Sequence, residues 1–373
     1  MTYARIVPFE PAAVAHALAG TVEGLAVRTS GSTGAPREVL LPGEAIRASV
    51  DATHAALGGP GRWLLALPPD RVAGAMVWAR ALRGGTEPLA LPAGPFTAEA
   101  FAAATDALAA RGEGPLYVSL VPTQLIRALA SPAGRDALSA YRAVLVGGAP
   151  LDLDPAAVPA QVVRTYGASE TCGGCVYNGV PLEGVQIRLV DGRIHLAGPM
   201  LAAGFADGNN AAFVVDDGVR WWVTNDVGTF TPDGRLSVVG RVDHAITTGG
   251  VTVHPARVER ELRALPGVAD AVVTSLPSPE WGEEMVALVV RDAGVSGGIG
   301  EGVSLDSAAV RAALGARLPR AEMPRRVWQV DALPLLESGK IDREGARRRA
   351  QDLAAARPGA AEATRPRVKE NLA

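Results

Sequence analysis

The sequence predicts an α/β protein: a large N-terminal layered α/β domain with a small β-barrel-like part, then a small C-terminal α+β domain. Two changes of texture carry this reading. Up to about residue 150, short apolar runs alternate with helix-like stretches, the pattern of a parallel sheet covered by helices. After about residue 180, short strands follow one another through "DG" turns, and from about residue 244 a turn, an amphipathic helix and further strands begin a third segment. A length of 373 residues also exceeds what one core usually supports.

The elements follow in order. Residues 10–20 read as a short helix with Pro11 near its start, and "GLAVRTSG" as a strand running into a loop. "WLLALP" (63–68) reads as a buried strand, followed by a helix from about Ala73 to Leu82, a strand in "PLALPAG" and an Ala-rich helix over 97–111. "LYVSLVP", "TQLIRALA" and "YRAVLVGGAP" continue as strand, helix, and strand with turn. "VQIRLVDGRIHLAG", "RWWVTND" and "RLSVVGRVD" predict a small antiparallel sheet or barrel. "VHPARVERELRALPGVADAVVTSLP" predicts turn, helix and strand, "MVALVVRD" a strand, "SLDSAAVRAALGARLPR" a helix and "RRVWQVDALP" a strand. The expected boundaries are 1–242 and 243–350, with a disordered tail over 351–373, rich in Ala, Arg, Pro and Glu.

The totals narrow the function. A net charge of −3 makes no case for nucleic acid or an anionic membrane surface as partner. The sequence shows no signal-peptide pattern and no apolar run long enough to span a bilayer. Its two cysteines, Cys172 and Cys175, are too few for a disulfide scaffold, so the expected location is a reducing cytoplasm. Their C-x-x-C spacing lacks the further ligands a structural zinc needs. The oligomeric state, a homodimer included, stays open.

The stretch "RTSGSTGAPREV" (28–39) has the small residues of a phosphate-binding loop, in which unobstructed backbone N–H groups point at an anion. It does not fit G-x-x-x-x-G-K-[ST], so it is no ordinary P-loop. "LVGGAP" leaves a strand at Gly147, Gly148 and Ala149, which suits either a close approach to a flat base or a plain tight turn. "GAMVWARALRGG" (74–85) is an apolar helix carrying one unusual cation, Arg80, which either pairs with a ligand carboxylate or snorkels to solvent.

"TSGSTGAPREV", "GGAP", "YGASE" (166–170), "WVTND" (222–226), "GRVDHAITTGG" (240–250) and "ESGKIDR" (337–343) occur in one order. Together they resemble the adenylate-forming acyl-CoA synthetases, over residues 28–343. The resemblance implies ATP, Mg²⁺ and coenzyme A acting on a small carboxylic acid. It implies that Thr29, Ser30, Gly31, Ser32, Thr33 and Gly34 hold the ATP phosphates, with Arg37 standing where the family usually has Lys. It places Gly147, Gly148, Ala149, Tyr166, Gly167 and Ser169 about the adenine and Glu170 on Mg²⁺. Asp226 and Arg241 match the ribose pair, although the family's T-G-D reads Thr224-Asn225-Asp226 here. Asp243 matches the hinge of a mobile C-terminal lobe, with His244 where a second Asp is common. Gly249 and Gly250 match the coenzyme A tunnel, and Lys340 the catalytic lysine of adenylation.

Only 28 residues precede the loop, a shortening typical of the actinobacterial o-succinylbenzoate–CoA ligases of menaquinone biosynthesis. "SLVPTQL" and "SETCGGCVYNGVPLEGV" resemble the same branch. That implies an aromatic keto acid with two carboxylates, with Arg80, Thr123 and Gly173 as substrate residues. Asp70-Arg71 departs from the branch, which has a His-containing pair before the glycine corresponding to Gly74. The rival readings are a ligase for another aryl or acyl acid, an enzyme passing its acyl group to a carrier protein or amine, and a nucleotide binder with decayed catalysis.

Overall fold

The computed structural model describes residues 2–29, 37–149, 151, 153–291, 307–336 and 341–356 of the chain. It divides into two compact units, Met1–Val238 and Val239–Ala373.

The first unit is built on a seven-stranded sheet. Across it the strands run Val180–Pro181, Gly173–Tyr177, Gln161–Ala168, Tyr141–Val146, Leu116–Leu120, Arg62–Leu65 and Leu89–Ala90. The strands from Gln161–Ala168 to Leu89–Ala90 are mutually parallel; the other two join antiparallel. Both faces are covered, so successive residues of one strand enter different cores. Trp63 and Leu65 pack with Val77 and Ala81 under the helices Gly43–Leu57 and Val72–Arg83, while Leu64 packs with Phe101, Leu108 and Leu125 on the opposite side. Thr97 caps the helix Ala98–Ala109 by accepting from Ala100 N–H at 3.1 Å, and Gly58 ends Gly43–Leu57 in the left-handed conformation (φ 78°).

Two smaller sheets complete this unit. One joins Tyr3–Arg5, Gly24–Arg28, Glu38–Pro42 and Gly204–Phe205, and so lays Phe205 beside Val39. The other is the expected antiparallel sheet, formed by Gln186–Val190, Arg193–Ala197, Val219–Phe230 and Phe213–Asp216, with Leu236–Arg241 against Val219–Phe230. Two of its "DG" turns take positive φ at both residues: 50° and 78° at Asp191-Gly192, 48° and 74° at Asp217-Gly218.

In the second unit, Val251–Val253, Ile246–Thr248, Gly282–Arg291 and Val268–Ser278 form an antiparallel sheet that Arg326–Val330 extends in parallel. Ala271 and Val273 face the helices Pro255–Arg263 and Ser307–Leu314, and Val272 faces the helix Arg343–Ala355. Two expectations are corrected. The helix Pro132–Ser139 was not predicted; it packs so closely on the preceding helix that a Cβ at Gly134 would stand 2.2 Å from the Ala128 carbonyl oxygen. The folded chain also passes residue 351, because Ala346 and Ala350 are buried against the sheet and carry the last helix to Ala355. Among the described residues no helix is long and apolar enough to cross a membrane.

Candidate active site

Parallel α/β sheets place their ligand sites at the carboxyl ends of the strands. The strand Tyr141–Val146 ends there in Gly147-Gly148-Ala149, the strand Leu116–Leu120 leads to Thr123 in the first helical turn, and Gln161–Ala168 runs into Ser169 and Glu170. Gly147 is a glycine for a reason of packing: an added Cβ would stand 2.4 Å from Thr165 Oγ1. Gly148 holds φ 86°, and among the described residues only Val121 comes within 4 Å of a Cβ placed there, which leaves room for a ligand. Gly167 cannot carry a side chain either, since a Cβ would lie 2.1 Å from the Gly173 carbonyl oxygen.

Glu170 sits in a short 3₁₀ turn, Ser169–Thr171. The buried Thr171 hydroxyl accepts from Ala168 N–H (2.9 Å) and donates to the Gly173 carbonyl (2.7 Å), and the Glu170 carbonyl accepts from Ala202 N–H (2.8 Å). Cys172 then takes φ 51° and Gly173 φ 84°, and among the described residues the one atom within 4 Å of a Cβ at Gly173 is Met76 Cγ, from the helix that bears Arg80. Cys172 and Cys175 are free, fully buried thiols. Burial raises both, Cys175 to about 12.

Tyr166 donates its hydroxyl to Asp226 Oδ2 at 2.8 Å. Burial first, then the Asp226 charge, push the phenol well above its ordinary range, so it stays a donor. The pair joins the adenine and ribose residues expected from the sequence. Asn225, which replaces the family's glycine, is exposed and its side-chain carbonyl accepts from Arg193 Nη2 at 2.8 Å.

The phosphate loop is described at its neck only; Ser30, Gly31, Ser32, Thr33 and Gly34 lie outside the described residues. Thr29 N–H donates to the Arg37 carbonyl (2.8 Å), and Arg37 N–H donates to Thr29 Oγ1 (3.0 Å). Arg71, half of the unexpected Asp70-Arg71 pair, donates to the Thr29 carbonyl at 3.3 Å. Arg37 stands at the other side of this neck. Its guanidinium is taken up by protein: Nε and Nη2 each donate to Asp207 at 2.8 Å, Nη2 also donates to the Asn209 carbonyl at 2.7 Å, and the group lies 3.5 Å from the Phe205 ring centre. Those hydrogen bonds to Asp207 raise the Arg37 pKa most, and Glu170 adds to the effect, which puts Glu170 within electrostatic reach of the loop's neck.

Arg80 is 4% exposed, and its Nε is buried with no hydrogen-bond partner. Among the described residues it forms no ion pair; its guanidinium lies 5.3 Å from the Trp63 ring centre. Asp51 of the neighbouring helix is bound twice by Arg83, at 2.9 Å. The snorkelling alternative therefore fails: the helix turns Arg80 inward, and the sequence could not say so because a long cationic stem suits either direction.

In the second unit Arg241 binds Asp243 through Nε (2.8 Å) and Nη2 (2.6 Å). Burial opposes ionisation of Asp243, but Arg241 outweighs it and holds the carboxyl low. Gly249 (φ 56°) donates its N–H to the Trp281 carbonyl at 3.0 Å and lies so close to the indole that a Cβ would stand 2.8 Å from it; Gly250 (φ 79°) meets nothing. Lys340 lies outside the described residues.

A nucleotide-binding α/β enzyme with a second, smaller α+β unit is the class that this sheet edge and its glycine turns define. Residues 28–220 match the model of the AMP-binding enzymes, and residues 257–340 that of the AMP-binding enzyme C-terminal domain. The chain belongs to the AMP-binding enzyme family. It is 41% identical over 335 residues to a probable 2-succinylbenzoate–CoA ligase of Mycobacterium tuberculosis, covering 87% of this chain and 84% of that one. It is 32% identical over 358 residues to a feruloyl-CoA synthase of Amycolatopsis, covering 87% and 69%. Among solved structures, ATP-bound MatB from Rhodopseudomonas palustris superposes with a TM-score of 0.75 at 25% identity, over 88% of this chain and 68% of that one. The o-succinylbenzoate CoA synthetase MenE of Bacillus subtilis, in complex with its acyl-adenylate intermediate, gives 0.69 at 25% identity, over 86% and 68%.

Proposed function

We propose that this chain is an AMP-forming ligase that activates 2-succinylbenzoate with ATP and transfers the acyl group to coenzyme A. The observation that carries the choice of acid is Arg80: a buried guanidinium with no ion pair among the described residues is set for an anionic group that arrives from outside. Guanidinium and carboxylate match bidentately, so the site would take the carboxylate that does not react. Identity to the mycobacterial ligase supports the same acid.

One substrate carboxylate attacks the α-phosphorus of ATP, pyrophosphate leaves, and an acyl-adenylate forms. The coenzyme A thiol then attacks the acyl carbon, and AMP leaves with the phosphate oxygen that held it. The loop after Thr29 receives the β- and γ-phosphates, Tyr166 and Asp226 set the nucleoside, and Lys340 neutralises charge between the reacting carboxylate and the α-phosphate. Glu170 offers the single hard oxygen donor that Mg²⁺ needs beside phosphate oxygens and water, so the residues fit that ion; bound there, Mg²⁺ would neutralise phosphate charge. Between the two steps the C-terminal lobe turns about Asp243, and Gly249-Gly250 pass the pantetheine arm.

The test is coenzyme A-dependent thioester formation with 2-succinylbenzoate, ATP and Mg²⁺, run beside benzoate and a medium-chain fatty acid. Turnover confined to the dicarboxylate supports both the acid and the Arg80 subsite. Activity confined to a monocarboxylate keeps the ligase and removes the acid. Release of AMP without coenzyme A, on addition of an amine or carrier protein, would reassign the acceptor.

A further inference from the structure

Among the described residues Glu259 is the one buried carboxylate, 3% exposed in the middle of the helix Pro255–Arg263. Arg343 grips it from both sides, Nη1 to Oε1 at 2.8 Å and Nη2 to Oε2 at 3.0 Å. Val273 N–H also donates to Oε1 at 2.9 Å, and Arg343 Nη1 reaches back to the Val273 carbonyl at 3.3 Å. The carboxylate is thus tied to the edge strand Val268–Ser278 and, through Arg343, to the start of the last helix.

A buried ion pair is a poor source of stability, because desolvating both charges offsets their attraction. Its bidentate geometry does fix distance and rotation at once. What it fixes here is the chain that ends the 337–340 segment. Leu335 and Ile341 face each other across an antiparallel bridge, Asp342 N–H donates to the Pro334 carbonyl at 2.9 Å, and the Asp342 side chain caps the helix by accepting from Gly345 N–H at 2.9 Å. Arg343 follows directly. The charges of the pair are also felt at His244, in the turn Val242–His244: burial first, then the Arg343 charge, depress it, with Glu259 acting in the opposite sense. Through Arg343, the chain that follows the lysine segment is therefore tied to this carboxylate.

We infer that Glu259 is a positioning residue of the adenylation step, which through Arg343 anchors the chain that follows Lys340, from Ile341 to the start of the last helix, on the strand Val268–Ser278. The inference rests on the reading of Lys340 as the adenylation lysine.

The experiment separates the half-reactions: acid-dependent ATP–pyrophosphate exchange for the first, thioester formation from preformed acyl-adenylate and coenzyme A for the second. Glu259→Gln and Arg343→Ala should lower the exchange kcat about 10- to 100-fold, the scale of a misplacement near 1 Å. The KM for ATP and the rate from preformed adenylate should stay within about twofold. Arg343→Lys keeps the charge and loses the fork, so it serves where Glu259→Gln does not fold and should fall between Arg343→Ala and the parent. Exchange at the parent rate in a folded variant overturns the inference, and so does an equal loss in both half-reactions, which would make the pair merely structural. Lys340→Ala run alongside isolates the underlying reading: if it retains exchange, that reading fails and takes this inference with it; if it abolishes exchange while Glu259→Gln does not, the positioning role alone fails.

Discussion

Replacing Arg80 by Met should raise stability and destroy recognition of the dicarboxylate together. The Arg80 guanidinium is 4% exposed, its Nε has no partner, and its described surroundings supply an aromatic ring at 5.3 Å but no acid. Holding an uncompensated charge in such a place costs several kcal/mol, whereas Met fills much of the same volume and brings no charge. If relief is about 1–2 kcal/mol, melting in a domain of this size rises by ~2–8 °C. The bound carboxylate suffers the reverse, since removing one partner of a buried charged pair costs about 2–5 kcal/mol, or ~30-fold to several thousand-fold in KM. Thermal melting of the ligand-free protein and the KM for 2-succinylbenzoate in the thioester assay read the two effects. The KM for ATP serves as the control that should not move. A variant that melts lower and keeps its KM would refute the reasoning and make Arg80 a packing residue.

Three further outcomes follow from the geometry. If Arg37 braces the loop's neck against the 205–209 segment, Asp207→Asn and Arg37→Ala raise the KM for ATP to a similar extent and the double variant is no worse than either; a direct phosphate contact instead leaves Asp207→Asn with an unchanged or lower KM. His244 is held at about 4 against an ordinary 6.5 by burial and then by Arg343. Between those values the unfolded chain binds a proton that the folded lobe refuses. Stability therefore falls as pH drops from 6.5 towards 4, by at most ~3 kcal/mol, and is insensitive to this group above that window. Urea midpoints at pH 7.5 and 4.5 should converge in His244→Gln, and an unchanged difference would exclude the histidine as its source. Cys172 and Cys175 are buried with raised pKa values, so at pH 8 a thiol reagent should label them at least ~10³-fold more slowly in the native protein than in urea. Rapid native labelling would show that the turn after Glu170 opens.

The sequence by itself determined whatever depends on near neighbours along the chain. Alternation in "RWLL" sends Trp63 and Leu64 to opposite faces, Asp191-Gly192 and Asp217-Gly218 make their turns, and six motifs in one order identify the sheet edge where Glu170 and Gly148 stand. Each of these is a short-range preference of backbone or side chain, so it survives without knowledge of the fold. Pro132–Ser139 escaped because it is a short helix with Gly134 inside, a residue that its close approach to Ala128 requires and that weakens the helical pattern.

The tertiary structure alone decided which charges meet across long stretches of the chain. Arg37 meets Asp207 across 170 positions, Arg343 meets Glu259 across 84, and Tyr166 meets Asp226 across 60. Arg80, on a helix whose pattern allowed either direction, turned inward to meet no acid among the described residues. A side chain's local pattern says which way it points on its own element. Its electrostatic partner depends on which strands become neighbours, and that is settled only when the sheets close over their cores.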